Sequence, residues 1–161
     1  MTLKVGINGF GRIGRMILRS IIEHNRKDLE VVAINNRSNA ETSSFLLIND
    51  TVHGKLKSKI NHSEKAIYID EKKINMIQEN EISKIDWKKY EVGIVLECTG
   101  KFNTKEKSSQ HIISGANKVI VSAPCKGAKS IIYGVNERNI KFQEKNYGDT
   151  GMLGVKNSQS F

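Results

Sequence analysis

The chain has 161 residues, which is the length of one ordinary domain and too short for a large two-domain enzyme. Its formal net charge is +9, but the 26 basic residues are dispersed, with no run longer than two. Aromatic residues for base stacking are not interleaved with them, so we expect no nucleic-acid partner.

The two cysteines, Cys98 and Cys125, form no C-x-x-C motif, so we expect no metal site and free thiols in a reducing compartment. Met1 and Thr2 directly precede the first apolar run, so we expect no signal peptide. Since no apolar stretch reaches 18 residues, we expect a soluble, cytoplasmic protein without a membrane partner.

The first predicted elements are an apolar strand over 3–7 and a helix from about residue 12 to residue 24. Between them, Gly9, Gly11 and Gly14 have the G-x-G-x-x-G spacing that is typical of dinucleotide-binding turns. Gly9 permits a tight turn, Gly11 leaves room for a pyrophosphate, and Gly14 lets helix and strand approach closely. The diphosphate is expected at the helix N-terminus, where unpaired N–H groups and the helix dipole attract anions.

Further strands and helices follow in alternation. Ser38 or Asn39 is predicted to cap a second helix, which runs to about residue 49 with an apolar side formed by Phe45, Leu46 and Ile48. A third helix is predicted between Thr104 as its cap and Gly115 as its stop. Short apolar runs predict further buried strands over 30–34, 92–98, 119–121 and 131–135.

Alternating apolar residues over 55–76 predict small antiparallel strands inserted into this scaffold, with Ile67, Ile69, Ile74 and Met76 as the apolar positions. The fold class predicted is α/β, a doubly wound, mostly parallel sheet of the Rossmann type with a small antiparallel insertion. Residues 1–140 are predicted to form this dinucleotide-binding domain. Residues 141–161 lose the apolar periodicity and are predicted to form a divergent, disordered tail.

With these elements in order, the chain closely resembles the coenzyme-binding half of phosphorylating glyceraldehyde-3-phosphate dehydrogenases. The resemblance covers about 136 residues and is far more specific than the glycine triplet alone. It rests on six segments: GINGFGRIGR at 6–15, VAINN at 32–36, DTVHGK at 50–55, LECTGKF at 96–102, KVIVSAPCKG at 118–127 and YGVN at 133–136.

The resemblance implies NAD or NADP as the cofactor and a role for five more residues. Arg12 and Ile13 would hold the diphosphate through their main chain. Thr99 and Gly100 would line the ribose next to the nicotinamide, and Ser122 would lie near the nicotinamide itself.

Two departures from the family concern the adenosine end of the coenzyme. Asn36 ends the second strand, where an acidic residue would bind the ribose hydroxyls and repel a 2′-phosphate. Asn36 removes that repulsion, and Arg37 beside it is either a partner for the phosphate or simply solvated. Asn80 stands where the family tends to place a positive charge, so we expect a weaker contact with the adenine.

The third departure concerns catalysis. In the family a Ser-Cys-Thr-Thr-Asn stretch supplies a nucleophilic cysteine soon after the YGVN segment, and a later histidine lowers the pKa of that thiol. After Asn136 this sequence contains neither residue. Hydride leaves from a thiohemiacetal between cysteine and aldehyde, so we expect coenzyme binding without catalysis and assign no catalytic residue.

The thiols and histidines present do not replace that pair. Cys125 lies in a loop where an exposed thiol is conceivable, whereas Cys98 lies in an apolar strand where inert burial is expected. None of the four histidines is obviously aimed at Cys125, and His53 is interpreted as a packing or turn residue; the four are His24, His53, His62 and His111.

Three hypotheses follow. The first is a glyceraldehyde-3-phosphate dehydrogenase truncated before its catalytic cysteine, by a frameshift or a split gene, which keeps the coenzyme domain of a glycolytic and gluconeogenic enzyme. The second is a stand-alone dinucleotide-binding or interaction module, whose uncovered apolar surface associates with a full-length homologue in a homo- or hetero-oligomer. The third is a fragment of the related erythrose-4-phosphate dehydrogenase branch.

Overall fold

The apolar run after Thr2 forms strand β1 (Leu3–Asn8), and the glycine turn leads from it into helix α1 (Arg12–Glu23). The computed structural model describes residues 2–139 and 145–149 of the chain. Its other helices are α2 (Ala40–Ile48), α3 (Lys105–Ser108) and α4 (Gln110–Ile113), with 3-10 turns at Ile82–Lys84, Lys88–Tyr90 and Glu137–Asn139. None of the described helices is long and apolar enough to cross a membrane.

The strands follow the predicted alternation closely. After β1 they are, in chain order, β2 (Leu29–Asn35), β3 (Asn49–Asp50), β4 (Gly54–Lys55), β5 (Ile60–Ser63), β6 (Ala66–Ile69), β7 (Lys72–Ile77), β8 (Ile94–Glu97), β9 (Lys118–Val121), β10 (Lys129–Ile131) and β11 (Asn146–Asp149). The main sheet of the described residues has the order β10-β11-β9-β8-β1-β2-β7-β6-β5, and β3 pairs with β4 separately.

The predicted fold class is confirmed. Strands β10 through β7 of this order pair in parallel, and β7, β6 and β5 pair antiparallel at one edge, which is the predicted insertion. Asn39 is the cap of α2, since its side chain accepts a hydrogen bond from the Thr42 N–H at 2.9 Å. Thr104 caps α3 in the same way, although the predicted third helix is divided at Ser109 into α3 and α4.

The apolar side predicted for α2 is wrong at two of its three residues. The helix buries Ala40, Ser43, Ser44 and Leu47, which follow the i, i+3, i+4, i+7 spacing of a single helical face. Phe45 and Leu46 fall outside that face and are 63% and 38% exposed, whereas Ile48 lies at its edge and is half-buried. Hydrophobicity alone suggested the wrong residues because two serines occupy the buried stripe.

The predicted strand over 131–135 is also wrong for most of its length. Strand β10 ends at Ile131, and Gly134 takes a positive φ of 80° in the turn that follows. The Asn136 side chain accepts a hydrogen bond from the Ile132 N–H at 2.7 Å and donates one to the Ser130 carbonyl at 3.1 Å. These bonds to the backbone stabilise a turn in place of an extended strand.

Part of the predicted disordered tail is a strand. β11 (Asn146–Asp149) inserts between β9 and β10, and Tyr147 is buried with 2% exposure. A Cβ on Gly148 would lie 2.6 Å from the Cβ of Cys125, so only glycine fits against that residue. The rest of the predicted tail lies outside the described residues.

The two faces of the sheet are covered differently. On the face of α4, the core consists of buried residues from strands and connections: Ala33, Ile85, Trp87, Val92, Val95, Ala116, Val119, Val121 and Cys125. On the face of α1, a second core forms around Ile7, Leu18 and Ile34. Beside α1, however, Ile94, Leu96 and Ile120 are only half-buried and line an apolar groove of about 320 Å³. Within the part of the chain that the structure describes, one face of the sheet is therefore covered and the other is partly open.

Candidate coenzyme site

The glycine turn between β1 and α1 has the geometry expected of a phosphate cradle. Gly9 has a φ of 93°, and a Cβ there would lie 2.8 Å from the backbone nitrogen of Thr99. A Cβ on Gly14 would lie 2.3 Å from the carbonyl oxygen of Gly9, so a side chain there would push helix and strand apart. Among the described residues beyond the turn itself, no atom lies within 4 Å of the Cβ position of Gly11, so the space above this residue is open in that part of the chain.

The N-terminus of α1 borders that open space. Gly11 is the N-cap residue, no side chain caps the helix, and its first turn contains no acidic residue. The main-chain N–H groups of Arg12 and Ile13 therefore remain available to an anion. The side chain of Arg12 points elsewhere and forms an ion pair with Asp50 at 3.3 Å.

A cavity of about 270 Å³ extends from this turn along the carboxyl ends of the strands. Five of the predicted site residues line it, namely Gly9, Gly11, Asn36, Arg37 and Thr99. Sequence reasoning did not assign the following lining residues to the site: Asn8, Asn35, Glu79, Ile82, Cys98, Lys101 and Phe102. Ligands of open α/β sheets bind at this edge, where the strand order reverses.

At one end of the cavity lie Asn36, Arg37 and Asn80. The Asn36 side chain accepts a hydrogen bond from the Phe10 N–H at 3.4 Å and donates one to the Ser43 hydroxyl at 3.3 Å. Arg37 and Asn80 are exposed, and no ion pair of the Arg37 guanidinium occurs among the described residues. This end therefore offers an exposed guanidinium and two amides, and position 36 carries no carboxylate.

At the other end lies the turn that follows β8. Gly100 has a φ of 72°, and the Lys101 N–H donates a hydrogen bond to the Thr99 hydroxyl at 3.1 Å. Ser122 follows β9 next to this turn, and its N–H donates to the Glu97 carbonyl at 2.9 Å. The structure thus brings Thr99, Gly100 and Ser122 to the same edge of the sheet as the glycine turn.

A buried polar network runs beneath the cavity. Asn8, Asn35 and Glu97 are the last residues of three neighbouring strands, and they are in register with one another. The Asn8 amide donates to Glu97 Oε2 at 2.5 Å and accepts from the Asn35 amide at 2.7 Å. From α4, fully buried His111 places its Nε2 2.9 Å from Glu97 Oε2, and the Trp87 indole donates to His111 Nδ1 at 3.0 Å.

The indole fixes the protonation of the network. A Trp N–H can only donate, so His111 Nδ1 must be an acceptor and its proton must sit on Nε2. His111 is therefore a neutral donor to the carboxylate of Glu97. Glu97 Oε1 accepts from the Thr99 N–H at 2.7 Å and from the Thr99 hydroxyl.

Burial opposes ionisation of Glu97, which is fully enclosed in the protein. Hydrogen bonds from His111, Thr99 and Asn8 outweigh that desolvation, and they hold the pKa of the Glu97 carboxyl below its ordinary value. Every partner of the two carboxylate oxygens is a donor. The site therefore specifies a charged carboxylate at this position.

The cysteines differ from the sequence-based expectation. Cys125 is 5% exposed instead of accessible, since Gly148 covers it, and burial raises the pKa of its thiol. Cys98 is half-buried in the wall of the cavity, and desolvation raises the pKa of its thiol to about 11. Both thiols are thus protonated at neutral pH and poor nucleophiles.

The interpretation of His53 as a turn residue agrees with its contacts. The His53 N–H donates to Asp50 Oδ1 at 2.8 Å, and His53 Nδ1 lies 3.0 Å from the same oxygen. These two hydrogen bonds, chiefly the one from the backbone, hold the pKa of the Asp50 carboxyl well below its usual range. The ion pair between Asp50 and Arg12 connects the turn that contains His53 to the first residue of α1.

The residues beneath the site carried a signal that sequence reasoning did not use. Asn8, Asn35 and Glu97 each end a run of apolar residues that forms a buried strand. A polar residue at that position must either face a ligand or find buried partners. The partners on other elements, His111 and Trp87, had no such local signal.

Comparison with known proteins agrees with this geometry. Residues 3–105 match the family model described as glyceraldehyde 3-phosphate dehydrogenase, NAD binding domain. The glyceraldehyde-3-phosphate dehydrogenase of Cereibacter sphaeroides is 44% identical over 141 residues, which are 87% of this chain and 42% of that protein. The same enzyme of Thermotoga maritima is 42% identical over 139 residues, which are 86% and 42% of the two chains.

A more distant relative gives the same result. The glyceraldehyde-3-phosphate dehydrogenase of Mycoplasma pneumoniae is 37% identical over 146 residues, or 89% of this chain and 43% of that protein. The chain therefore spans less than half the length of these relatives. The glycine turn, the uncapped helix and the cavity lie within the matched region. The chain belongs to the glyceraldehyde-3-phosphate dehydrogenase family, of which it carries the NAD-binding domain.

Proposed function

We propose that this chain binds a nicotinamide dinucleotide along the carboxyl edge of its sheet, as the coenzyme-binding part of a glyceraldehyde-3-phosphate dehydrogenase. The observation that carries the proposal is the open space over Gly11 at the uncapped start of α1. The diphosphate binds there through the N–H groups of Arg12 and Ile13. The adenosine lies toward Asn36 and Arg37, and the nicotinamide ribose toward Thr99, Gly100 and Ser122.

Titration calorimetry with NAD tests this proposal. The wild-type chain is expected to release heat on binding, whereas Gly11→Ala is expected to fold normally and lose the coenzyme, because its methyl group occupies the diphosphate space. Gly134→Ala, in the turn after β10 and outside the cavity, is a control for coenzyme binding only, since its φ of 80° makes any side chain there strained. Folded wild-type protein that gives no heat with NAD or NADP would contradict the proposal.

We propose further that the site accepts NADP. Asn36 presents an amide where a carboxylate would repel a 2′-phosphate, and beside it Arg37 supplies a guanidinium that forms no ion pair with the described residues. Asn36→Asp is expected to weaken NADP binding and to spare NAD. An affinity for NADP more than about a hundredfold below that for NAD, or about 2.7 kcal/mol, would contradict the proposed acceptance of NADP.

By itself, the chain is proposed not to oxidise aldehydes. A thiolate must attack the carbonyl before hydride can leave, and both thiols of the sequence are protonated, with Cys125 buried. In the complete family reaction, glyceraldehyde 3-phosphate is oxidised and phosphorylated to 1,3-bisphosphoglycerate in glycolysis and gluconeogenesis. Purified chain mixed with the aldehyde, phosphate and NAD or NADP is expected to give no reduced coenzyme above the blank.

The half-open sheet face favours a second candidate function, association with another chain such as a full-length homologue. Ile94, Leu96 and Ile120 form an apolar strip beside α1 that a partner would cover. Light scattering of a mixture with the full-length homologue is expected to show a complex. Leu96→Lys should abolish the complex, whereas Ile113→Lys, at an exposed apolar residue of α4, should preserve it.

A further inference from the structure

We infer that Glu97 is a positioning residue for the coenzyme, because it fixes the turn Thr99–Gly100 before the coenzyme arrives. The inference rests on the proposed NAD site and assigns a role to a side chain that does not itself touch the ligand. Glu97 is fully buried, whereas Thr99 lines the cavity. Glu97 therefore acts on the site through the cavity residues that it contacts, chiefly Thr99, which donates two hydrogen bonds to it, and also Asn8, which donates one.

The first step of the argument is the set of bonds within the turn. Glu97 Oε1 accepts from both the N–H and the hydroxyl of Thr99. The hydroxyl is thereby fixed as a donor to the carboxylate, and its lone pairs accept from the Lys101 N–H. Both the backbone and the side chain of Thr99 are held in one orientation, with Gly100 in the left-handed conformation that completes the turn.

The second step is that Glu97 is itself held on the opposite side. Its Oε2 receives hydrogen bonds from Asn8 on β1 and from His111 on α4. The ring of His111 is oriented in turn by Trp87 and meets Phe102, another cavity residue, edge-on at 6.3 Å between ring centroids. The turn is therefore connected to the covered core of the domain and not only to its own loop.

The third step is chemical specificity. The described partners of the carboxylate all donate hydrogen bonds, and two of them cannot reverse: one orientation of a glutamine amide points its NH2 group at the Thr99 N–H, and the other points it at the N–H of His111 Nε2. His111 cannot change tautomer to relieve this conflict, because Trp87 already donates to its Nδ1. Glu97→Gln keeps the size and shape of the side chain but is expected to release the turn.

The test compares two ligands that share the adenosine diphosphate part. ADP reaches the glycine turn and the adenosine end, whereas NAD also requires the turn Thr99–Gly100. For Glu97→Gln we expect the affinity for NAD to fall by about tenfold or more, while that for ADP changes less than about threefold. Glu106→Gln, at an exposed glutamate of α3, is the matched control and should change neither affinity.

Each outcome has a defined meaning. If folded Glu97→Gln loses NAD and ADP equally, or loses neither, the positioning role is wrong. If the wild type binds neither ligand, the proposed coenzyme site fails instead.

If Glu97→Gln does not fold, amide hydrogen exchange of the ligand-free wild type tests whether the turn is fixed before the coenzyme binds. Protection of the Thr99 amide by about a hundredfold or more supports a turn that is already fixed, and exchange at the unprotected rate overturns it.

Discussion

The two ends of the cavity are built in opposite ways. The turn Thr99–Gly100 rests on buried Glu97 and His111, whereas Arg37 and Asn80 at the other end are exposed. Buried polar groups must keep all their partners, so changes at the first end are costly to folding. Exposed side chains can change with little effect on stability, which leaves the second end free to set coenzyme preference.

The largest effect on stability is expected from a substitution in the buried network beneath the turn Thr99–Gly100. His111→Ala leaves the Trp87 N–H without an acceptor, removes a donor to Glu97 and opens a cavity in the core. Together these changes should lower the free energy of unfolding by about 4 kcal/mol, as measured by urea denaturation. His62→Ala, at an exposed histidine, should change it by less than about 0.5 kcal/mol. A loss below about 1 kcal/mol for His111→Ala would show that the network does not stabilise the fold.

The glycine turn in the middle of the cavity also combines a tightly packed position, Gly14, with an open one, Gly11. Gly14→Ala places a methyl group 2.3 Å from a backbone oxygen and should cost about 3 kcal/mol of unfolding free energy. Gly11→Ala meets no atom within 4 Å, so its cost should stay below about 1 kcal/mol. Thermal unfolding of both variants checks this difference, and equal losses of stability would contradict the described approach of helix and strand.

The sequence predicts the middle of the site better than either end. Glycine spacing is a local signal, and within six residues of chain it predicts the tight turn at Gly9, the open space at Gly11 and the close approach at Gly14. The network beneath them joins Asn8 to His111, 103 residues away, and no periodicity reports such a contact. For the same reason β11 is not predicted from the sequence, since its residues form no apolar run. The strand is held instead by pairing with β9 and β10 on its two sides.

Acidification offers a milder way to weaken the buried end. The pKa of Glu97 is lower in the folded protein than its ordinary value, so its contribution to stability is complete above that ordinary value. As the pH falls through the folded pKa, the carboxylate takes up a proton and the contribution is lost. Glu97→Gln has no such proton to bind, so the stability difference between wild type and variant should shrink from pH 6 to pH 3. A difference that is independent of pH would contradict the charged state of Glu97.

The smallest expected effect belongs to the open end. Arg37→Ala removes an exposed guanidinium that pairs with no carboxylate among the described residues, so stability should change by less than about 0.5 kcal/mol. NADP affinity should nevertheless fall by about tenfold, or 1.4 kcal/mol, because the 2′-phosphate loses its cation, whereas NAD affinity should not change. Arg138→Ala, at an exposed arginine that does not line the cavity, should change the affinity for neither coenzyme. If Arg37→Ala weakens NAD and NADP equally, Arg37 contacts a part that both coenzymes share, and coenzyme preference must be set by Asn36 alone.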